Sequence, residues 1–384
     1  MLHALVGHEA ARASLVAART AGTLPAALRL LGPRGIGKQR LALWLGQLIL
    51  CQEPGPDGGC GECRHCRRVL KLEHPDLHWY FPLPRPKGAS GDKLQEALED
   101  ARRIRLAELR EQPLYSSHQE EATAIYLAAA RSLRRAAQSP PAEGRHQVFI
   151  IADAEAMVPQ ESSPEAANSL LKLLEEPPPS TYFILTSSEP GRLLDTVRSR
   201  TIPLHLAPPP SDLAEAFLTR HGVDEGSARK AVALSGGSIG LALGFLPDAD
   251  EALGPLEKIR RSAFDILRAA LSDRPGDGYA VALAFGPSGA RALMPLLSAL
   301  DVWIRDLAAV SSGASAQVVN RDSVDYLRRR AEELELHPAA VSQALPAVES
   351  ARLEARGNVN PQLVVAGLVD RLRTVLLTPT VTGP

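Results

Sequence analysis

A chain of 384 residues, 45% hydrophobic and 23% charged, has room for two or three domains and the makeup of ordinary soluble globular material. Its net charge of −1 excludes strong independent DNA binding through a basic excess, so any nucleic-acid role would be exercised inside an assembly. No apolar run is long enough to cross a bilayer, and the first residues lack a charged-then-apolar signal pattern, so a cytoplasmic location is expected.

Aromatic residues make up 4% of the chain while alanine and leucine abound, which favours helices packed on a modest sheet. The first helix is predicted over Glu9 to Thr20, ending before Gly22. A short strand, Leu28 to Leu31, then leads into Gly32-Pro33-Arg34-Gly35-Ile36-Gly37-Lys38, the G-x-x-x-x-G-K spacing of a phosphate loop. Glycines there let backbone N–H groups close around phosphate oxygens, the lysine adds a point charge, and the next helix, with Leu41, Trp44, Leu45 and Leu48 on one face, aims its positive end at the anion. The position after the lysine holds Gln39 where a Ser or Thr would place its hydroxyl on Mg²⁺. A glycine-rich turn without ligand would share the pattern.

All four cysteines follow, as Cys51-x8-Cys60-x2-Cys63-x2-Cys66. Two C-x-x-C steps among turn-forming glycines can close a tetrahedral thiolate shell on Zn²⁺, and four protein ligands make such a site structural; His65 is an alternative ligand. The basic residues Arg64, Arg67, Arg68 and Lys71 read as a solvated face that could also meet an acidic partner or nucleic acid. His74-Pro75-Asp76 alone reads as a turn. Pro82 to Gly91 reads as a flexible crossing, Asp92 to Arg110 as a charged surface helix within an insertion of about 87–120, and Ile125 to Gln138 as an amphipathic helix with Leu127, Leu133 and Ala137 inward.

The central stretch alternates strand, helix and strand. Val148 to Ile151 is a buried strand ending at Asp153, at the edge where α/β folds hold ligands. A helix capped by Ser162 and Glu165, with Pro164 in its first turn and Leu170, Leu171 and Leu174 as its stripe, stops at Pro177-Pro178-Pro179. Tyr182 to Leu185 is the second strand, followed by Ser187 and Ser188 at its end and by Arg198-Ser199-Arg200.

Ala167-Asn168-Ser169-Leu170-Leu171-Lys172-Leu173-Leu174-Glu175-Glu176-Pro177-Pro178, with Ser199-Arg200 after it, resembles the AAA+ subunits of the bacterial DNA polymerase III clamp loader. The resemblance implies an α/β AAA+ P-loop core with a parallel sheet and a zinc insertion (1–207), a small helical lid (208–250) and an all-helical C-terminal collar for oligomerisation (251–384). It implies nucleotide contacts from Gly32, Gly35, Gly37, Lys38, Gln39, Asp153 and Ser187, with ATP or ADP bound weakly or without hydrolysis. It also implies structural zinc on Cys51, Cys60, Cys63 and Cys66. In the family the arginine at the position of Arg200 reaches in trans into a neighbour's ATP site.

Three positions depart from the hydrolysing members: Gln39, Asp153-Ala154-Glu155 where Asp-Glu is usual, and Gly240, within Gly237 to Leu243, where motors carry arginine. These departures, with His74-Pro75-Asp76 and Gly357-Asn358-Val359-Asn360-Pro361, resemble the non-motor, delta-prime branch. A stator in a hetero-oligomer is therefore expected, without independent ATPase activity, partnered by gamma/tau motors and delta and reaching the sliding clamp and primer-template DNA through the complex. A gamma/tau-type motor and a zinc-dependent nucleic-acid module are the alternatives. Beyond the stiff Pro208-Pro209-Pro210, helices are predicted over Ile259–Leu271, Arg291–Val310, Ser323–Leu336, Ala339–Ala355 and Pro361–Leu377, the last capped by Asn360.

Overall fold

The structure, a computed structural model, describes residues 3, 5–113, 123–157, 165–247, 251–274, 276–357 and 359–377. It divides into two compact units, 1–243 and 244–384. The first opens with α1 (Glu9–Thr20), β1 (Ala27–Leu31), α2 (Lys38–Leu50), α3 (Arg64–Leu70), β2 (Leu77–Tyr80), β3 (Leu83–Pro84) and α4 (Gly91–Glu111). Then follow β4 (Thr123–Ala124), α5 (Leu127–Ala137), β5 (Gln147–Ile151), α6 (Glu165–Glu175), β6 (Thr181–Ser187), α7 (Asp195–Ser199) and β7 (Ile202–His205). Three helices, α8 (Ser211–Arg220), α9 (Glu225–Leu234) and α10 (Ile239–Phe245), come after the last strand.

Five strands form one parallel sheet in the order β2-β5-β6-β1-β7. Both faces are covered, so every residue of β1 and β5 is buried, Arg29 and Gln147 included, rather than every second one. Leu28, Leu30, Val148 and Ile150 pack with the α1 and α2 side chains, while Ala27, Phe149, Ile151 and Phe183 pack with those of α5, α6 and α7. Pro203 lies in β7, the edge strand, where a missing N–H costs the ladder least. The sheet, its helices and the P-loop turn between β1 and α2 meet the expectation of an AAA+ P-loop core.

Two readings of this unit are corrected. The stretch over 82–91 is not simply a crossing, since β3 pairs antiparallel with β4 in a two-residue ladder too short to show a sequence period. The helix α4 is not a bare surface insertion either. Leu98 is buried, Leu106 and Leu109 pack on the core, and Arg102 lies over the Tyr80 ring at 4.9 Å. The cap formed by Ser162, Pro164 and Glu165 involves residues outside the described ones.

Among the described residues the elements of the second unit are helices: α11 (Pro255–Ala270), α12 (Gly276–Leu283), α13 (Leu293–Ser311), α14 (Val324–Glu333), α15 (Pro338–Ser342), α16 (Ala344–Arg356) and α17 (Pro361–Leu377). Its core gathers Ile266, Leu297, Leu300, Trp303, Val348 and Leu368. At α17 the Asn360 Oδ1 accepts from Gln362 N at 2.9 Å, and Val364, Leu368, Leu372 and Leu376 are buried, as the spacing by four predicts. The helix expected over Ala339–Ala355 breaks at Gln343, because Pro346 has no N–H to give the Ser342 carbonyl. The sequence reading missed α12. Gly278 lets it approach α17 closely, since a Cβ there would stand 2.9 Å from Val369 Cγ1.

Candidate nucleotide loop, metal centre and surface arginine

The C-terminal ends of β1, β5 and β6 bring the expected phosphate-loop residues together. Lys38 is buried and donates to Gly32 O (2.9 Å), Pro33 O (2.7 Å) and Ser188 Oγ (2.8 Å), so its three protons are directed within the loop. Burial pushes its pKa down, against the pull of Asp153 and Glu155. Asp153 adopts a left-handed backbone, φ 47°, uncommon for a side-chain-bearing residue, and its N–H donates to Thr186 Oγ1 at 3.0 Å. Burial and the neighbouring Glu155 push the Asp153 carboxyl up.

The departures seen in the sequence have structural counterparts. Gln39 Nε2 donates to Asp153 Oδ2 at 3.2 Å, so the glutamine turns toward the carboxylate. Glu155, one residue further along than in hydrolysing relatives, lies in a short 3₁₀ turn, is buried, and accepts from Ser188 N at 2.9 Å. Gly240 donates its N–H to Gly35 O at 2.9 Å, and a Cβ on Gly240 would come within 2.9 Å of Gly35 Cα and O. Ser238 Oγ joins it by donating to Arg34 O at 2.7 Å. Gly35 itself needs glycine, with φ 75° and a hypothetical Cβ 2.6 Å from Ser238 Oγ. Gly37 shares that left-handed backbone at φ 97°, and Gly32 also has a positive φ, 153°.

Ser187 and Ser188, both offered by the sequence at the end of this strand, are placed differently. Ser187 is fully buried as the last residue of β6, and Ser188 carries the hydroxyl that meets Lys38. Successive side chains of a strand leave on opposite faces, so the one-residue difference decides which serine reaches the loop. A cavity of about 450 Å³ opens beside Gly35–Gln39, Asp153 and Ser188; Leu43, Trp79, Phe81, Arg105 and Leu109 are also part of its wall. The contribution of α4 to that wall escaped the sequence reading, although Leu94, Leu98, Ala101, Arg105 and Leu109 recur every three or four residues.

Cys51 ends α2, Cys63 caps α3 and Cys66 lies within it, and with Cys60 their sulfurs all fall within 4.8 Å of one another. The Cys60 and Cys66 sulfurs are 3.9 Å apart, close to the edge of about 3.8 Å of a tetrahedron with metal–sulfur bonds of about 2.3 Å. Backbone N–H groups of Cys60, Cys63 and Cys66 point at Cys51, Cys60 and Cys63 sulfurs at 3.3–3.4 Å. The cluster can therefore hold a metal ion. His65 is not part of it: its Nδ1 faces His74 Nε2 at 2.7 Å. Arg64 and Arg68 meet Glu143 at 3.2 and 2.6 Å, and Arg64, Arg67 and Lys71 remain exposed, as a solvated basic face would.

Arg200 follows α7 and is partly exposed. Its Nε donates to Glu175 Oε1 at 2.5 Å, one terminal nitrogen also binds Glu175 Oε1, and the other donates to Thr196 O (2.9 Å) and Ser199 Oγ (3.2 Å). The Glu175 partner lies within the Glu-Glu-Pro-Pro motif but was not singled out by sequence.

A family model described as "DNA polymerase III, delta subunit" matches residues 7–210. The DNA polymerase III subunit delta' of Escherichia coli (strain K12) is 29% identical over 365 residues, covering 94% of this chain and 93% of that protein. Its counterpart in Pseudomonas aeruginosa is 34% identical over 211 residues, 54% of this chain and 52% of its own length. The DNA polymerase III subunit gamma/tau of Mycobacterium tuberculosis (strain ATCC 25618 / H37Rv) is 28% identical over 207 residues, 53% of this chain but 28% of that protein. The family match takes in more than half of the chain, including the phosphate loop, the four cysteines and Ser199-Arg200, and this chain belongs to the DNA polymerase III delta subunit family.

Proposed function

We propose that this chain is a non-motor subunit of the bacterial DNA polymerase III clamp loader. It works as a stator beside gamma/tau motors and delta, helps place the sliding clamp on primed DNA, and lends Arg200 in trans to a neighbour's ATP site. The observation that carries the reading is the pairing at its own loop: Gln39 occupies an oxygen of Asp153 and Ser188 N occupies one of Glu155. A hydrolysing site needs such carboxylates to hold Mg²⁺ and to orient water. The gamma/tau-type motor reading would require both to be released.

Within this reading Gly32, Gly35, Gly37, Lys38, Gln39, Asp153 and Ser188 form a loop able to receive ATP or ADP without turnover. Zn²⁺ on Cys51, Cys60, Cys63 and Cys66 supplies structure, since four protein ligands leave no open position. The stretch 208–250 acts as the lid and 251–384 as the collar that joins subunits.

Steady-state ATPase tests the reading, first on the purified chain and then with motor, delta, clamp and primed DNA. The chain alone should turn over at background. Arg200→Ala should assemble normally yet lower the DNA- and clamp-stimulated rate, because an arginine finger contributes about 10³-fold or more at the site it serves. Arg200→Lys should rescue poorly, since lysine lacks the planar fork. Robust Mg²⁺-dependent hydrolysis by the isolated chain would replace this reading with the motor.

A further inference from the structure

We propose that Glu175 is the positioning residue for Arg200, a proposal that rests on the trans-acting role of Arg200 given above. Glu175 closes α6, where exposed carbonyl ends carry partial negative charge and a carboxylate is misplaced unless a cation sits against it. Arg200 is that cation. Its Nε and one terminal nitrogen converge on a single carboxylate oxygen, and its remaining nitrogen is taken by Thr196 O and Ser199 Oγ. All three guanidinium nitrogens are thus engaged inside the chain.

The two partners differ in how firmly they are placed. Leu170, Leu173 and Leu174 bury α6 in the core, and three prolines soon after its end, Pro177 to Pro179, stop the helix from extending. Glu175 therefore stands on a fixed element. Arg200 occupies the cap between α7 and β7 on a long side chain, so it is the group that can swing. Both side chains meet solvent, at 29% and 46% exposure for Arg200 and Glu175, where screening keeps an ion pair weak. A polyphosphate, carrying several negative charges, outcompetes one carboxylate for the same fork. Glu175 then holds the guanidinium oriented but neutralised until a neighbour's triphosphate takes it over.

The test uses the reconstituted complex with Glu175→Gln, Arg200→Ala and the double variant, assembly being matched by gel filtration. Glu175→Gln keeps the shape and removes the charge. It should raise the basal ATPase, measured without clamp or DNA, by roughly threefold and lower KM for ATP, as expected for loss of a weak competing ion pair. In the Arg200→Ala background the same change should do nothing, because coupled residues are non-additive. Independently of ATPase, phenylglyoxal should modify Arg200 faster in the isolated Glu175→Gln chain, read by peptide mass spectrometry. Unchanged modification and unchanged basal rate would overturn the proposal, as would an equal rise in the Arg200→Ala background. Should Arg200→Ala alone leave the stimulated rate at wild type while phenylglyoxal still distinguishes Glu175→Gln, the trans role falls and takes this function of Glu175 with it, though the contact stands.

Discussion

Gln39 stands where a phosphate loop ordinarily carries a hydroxyl, and its amide turns to Asp153 instead of outward. Gln39→Thr would free that carboxylate but leave Glu155 bound to Ser188 N and Gly240 against Gly35. ATP turnover by the isolated Gln39→Thr chain should therefore stay at background in a phosphate-release assay. Gly240 is the harder position to reverse, because the atoms its first side-chain carbon would meet are backbone and cannot rotate away. Gly240→Ala should destabilise the chain by about 1–3 kcal/mol, the usual range for overpacking, seen as a lower thermal midpoint. That contact was invisible from sequence, where Gly240 registered only as a missing arginine. His78 gives a pH signature. Its ring stacks on Phe149 at 4.5 Å, and burial, then Arg102, bring its pKa down to about 4 from the ordinary 6.5. Between those values the unfolded chain binds the proton and the folded chain does not, so stability falls as pH drops through that window. His78→Phe should flatten this part of the dependence, measured as the difference in thermal midpoint between the two proteins from about pH 7 to about pH 5.

Three elements were readable before any coordinates: α1 and α17 fall on the expected residues, and β5 extends its predicted run by one. The pairing of β3 with β4 was not, because two residues carry no period, and α4 was misread because its charges outnumber a correct apolar repeat. The four-cysteine insertion shows a different limit. Its spacing announced the cluster, yet the ties around it join residues far apart in sequence. Asp76 is buried and accepts from Ala142 N (2.5 Å), Glu143 N (3.0 Å) and Gly144 N (2.6 Å); although burial opposes it, these bonds hold its carboxyl below the usual range. Glu143 in turn holds Arg64 and Arg68 of α3. His74-Pro75-Asp76 is therefore an anchor between the cysteine insertion and the loop ahead of β5, more than the turn it resembled. With the proposed metal on the four cysteines, a chelator should raise backbone hydrogen exchange over 51–76 and over 139–146 together, while α8 and α9 keep their protection. Exchange confined to 51–66 would show that the insertion and the loop are not coupled.

Across the whole molecule the two units own separate cores. One cluster runs from Ala263 to Leu376, and the other two lie between Leu15 and Leu206. A hydrophobic core that shares no buried residue with its neighbour can fold without it, and helical units rich in local contacts fold readily. Fragments 1–247 and 251–384, cut so that α10 stays whole, should each give a cooperative thermal transition by circular dichroism, and the first should retain one metal per chain. The division of labour follows from where the groups lie. Fragment 1–247 keeps Arg200, Glu175 and the phosphate loop, whereas the collar role proposed for 251–384 puts subunit assembly in the other piece. The helical fragment should therefore co-elute with motor and delta subunits on gel filtration, and fragment 1–247 should not, despite carrying an intact arginine. Because a trans contribution requires the arginine to be held beside its neighbour, fragment 1–247 should also leave the motor's DNA-stimulated ATPase unchanged at concentrations where the full chain raises it. Co-elution and full stimulation by fragment 1–247 would place the assembly surface in the first unit and remove the collar role from the helices.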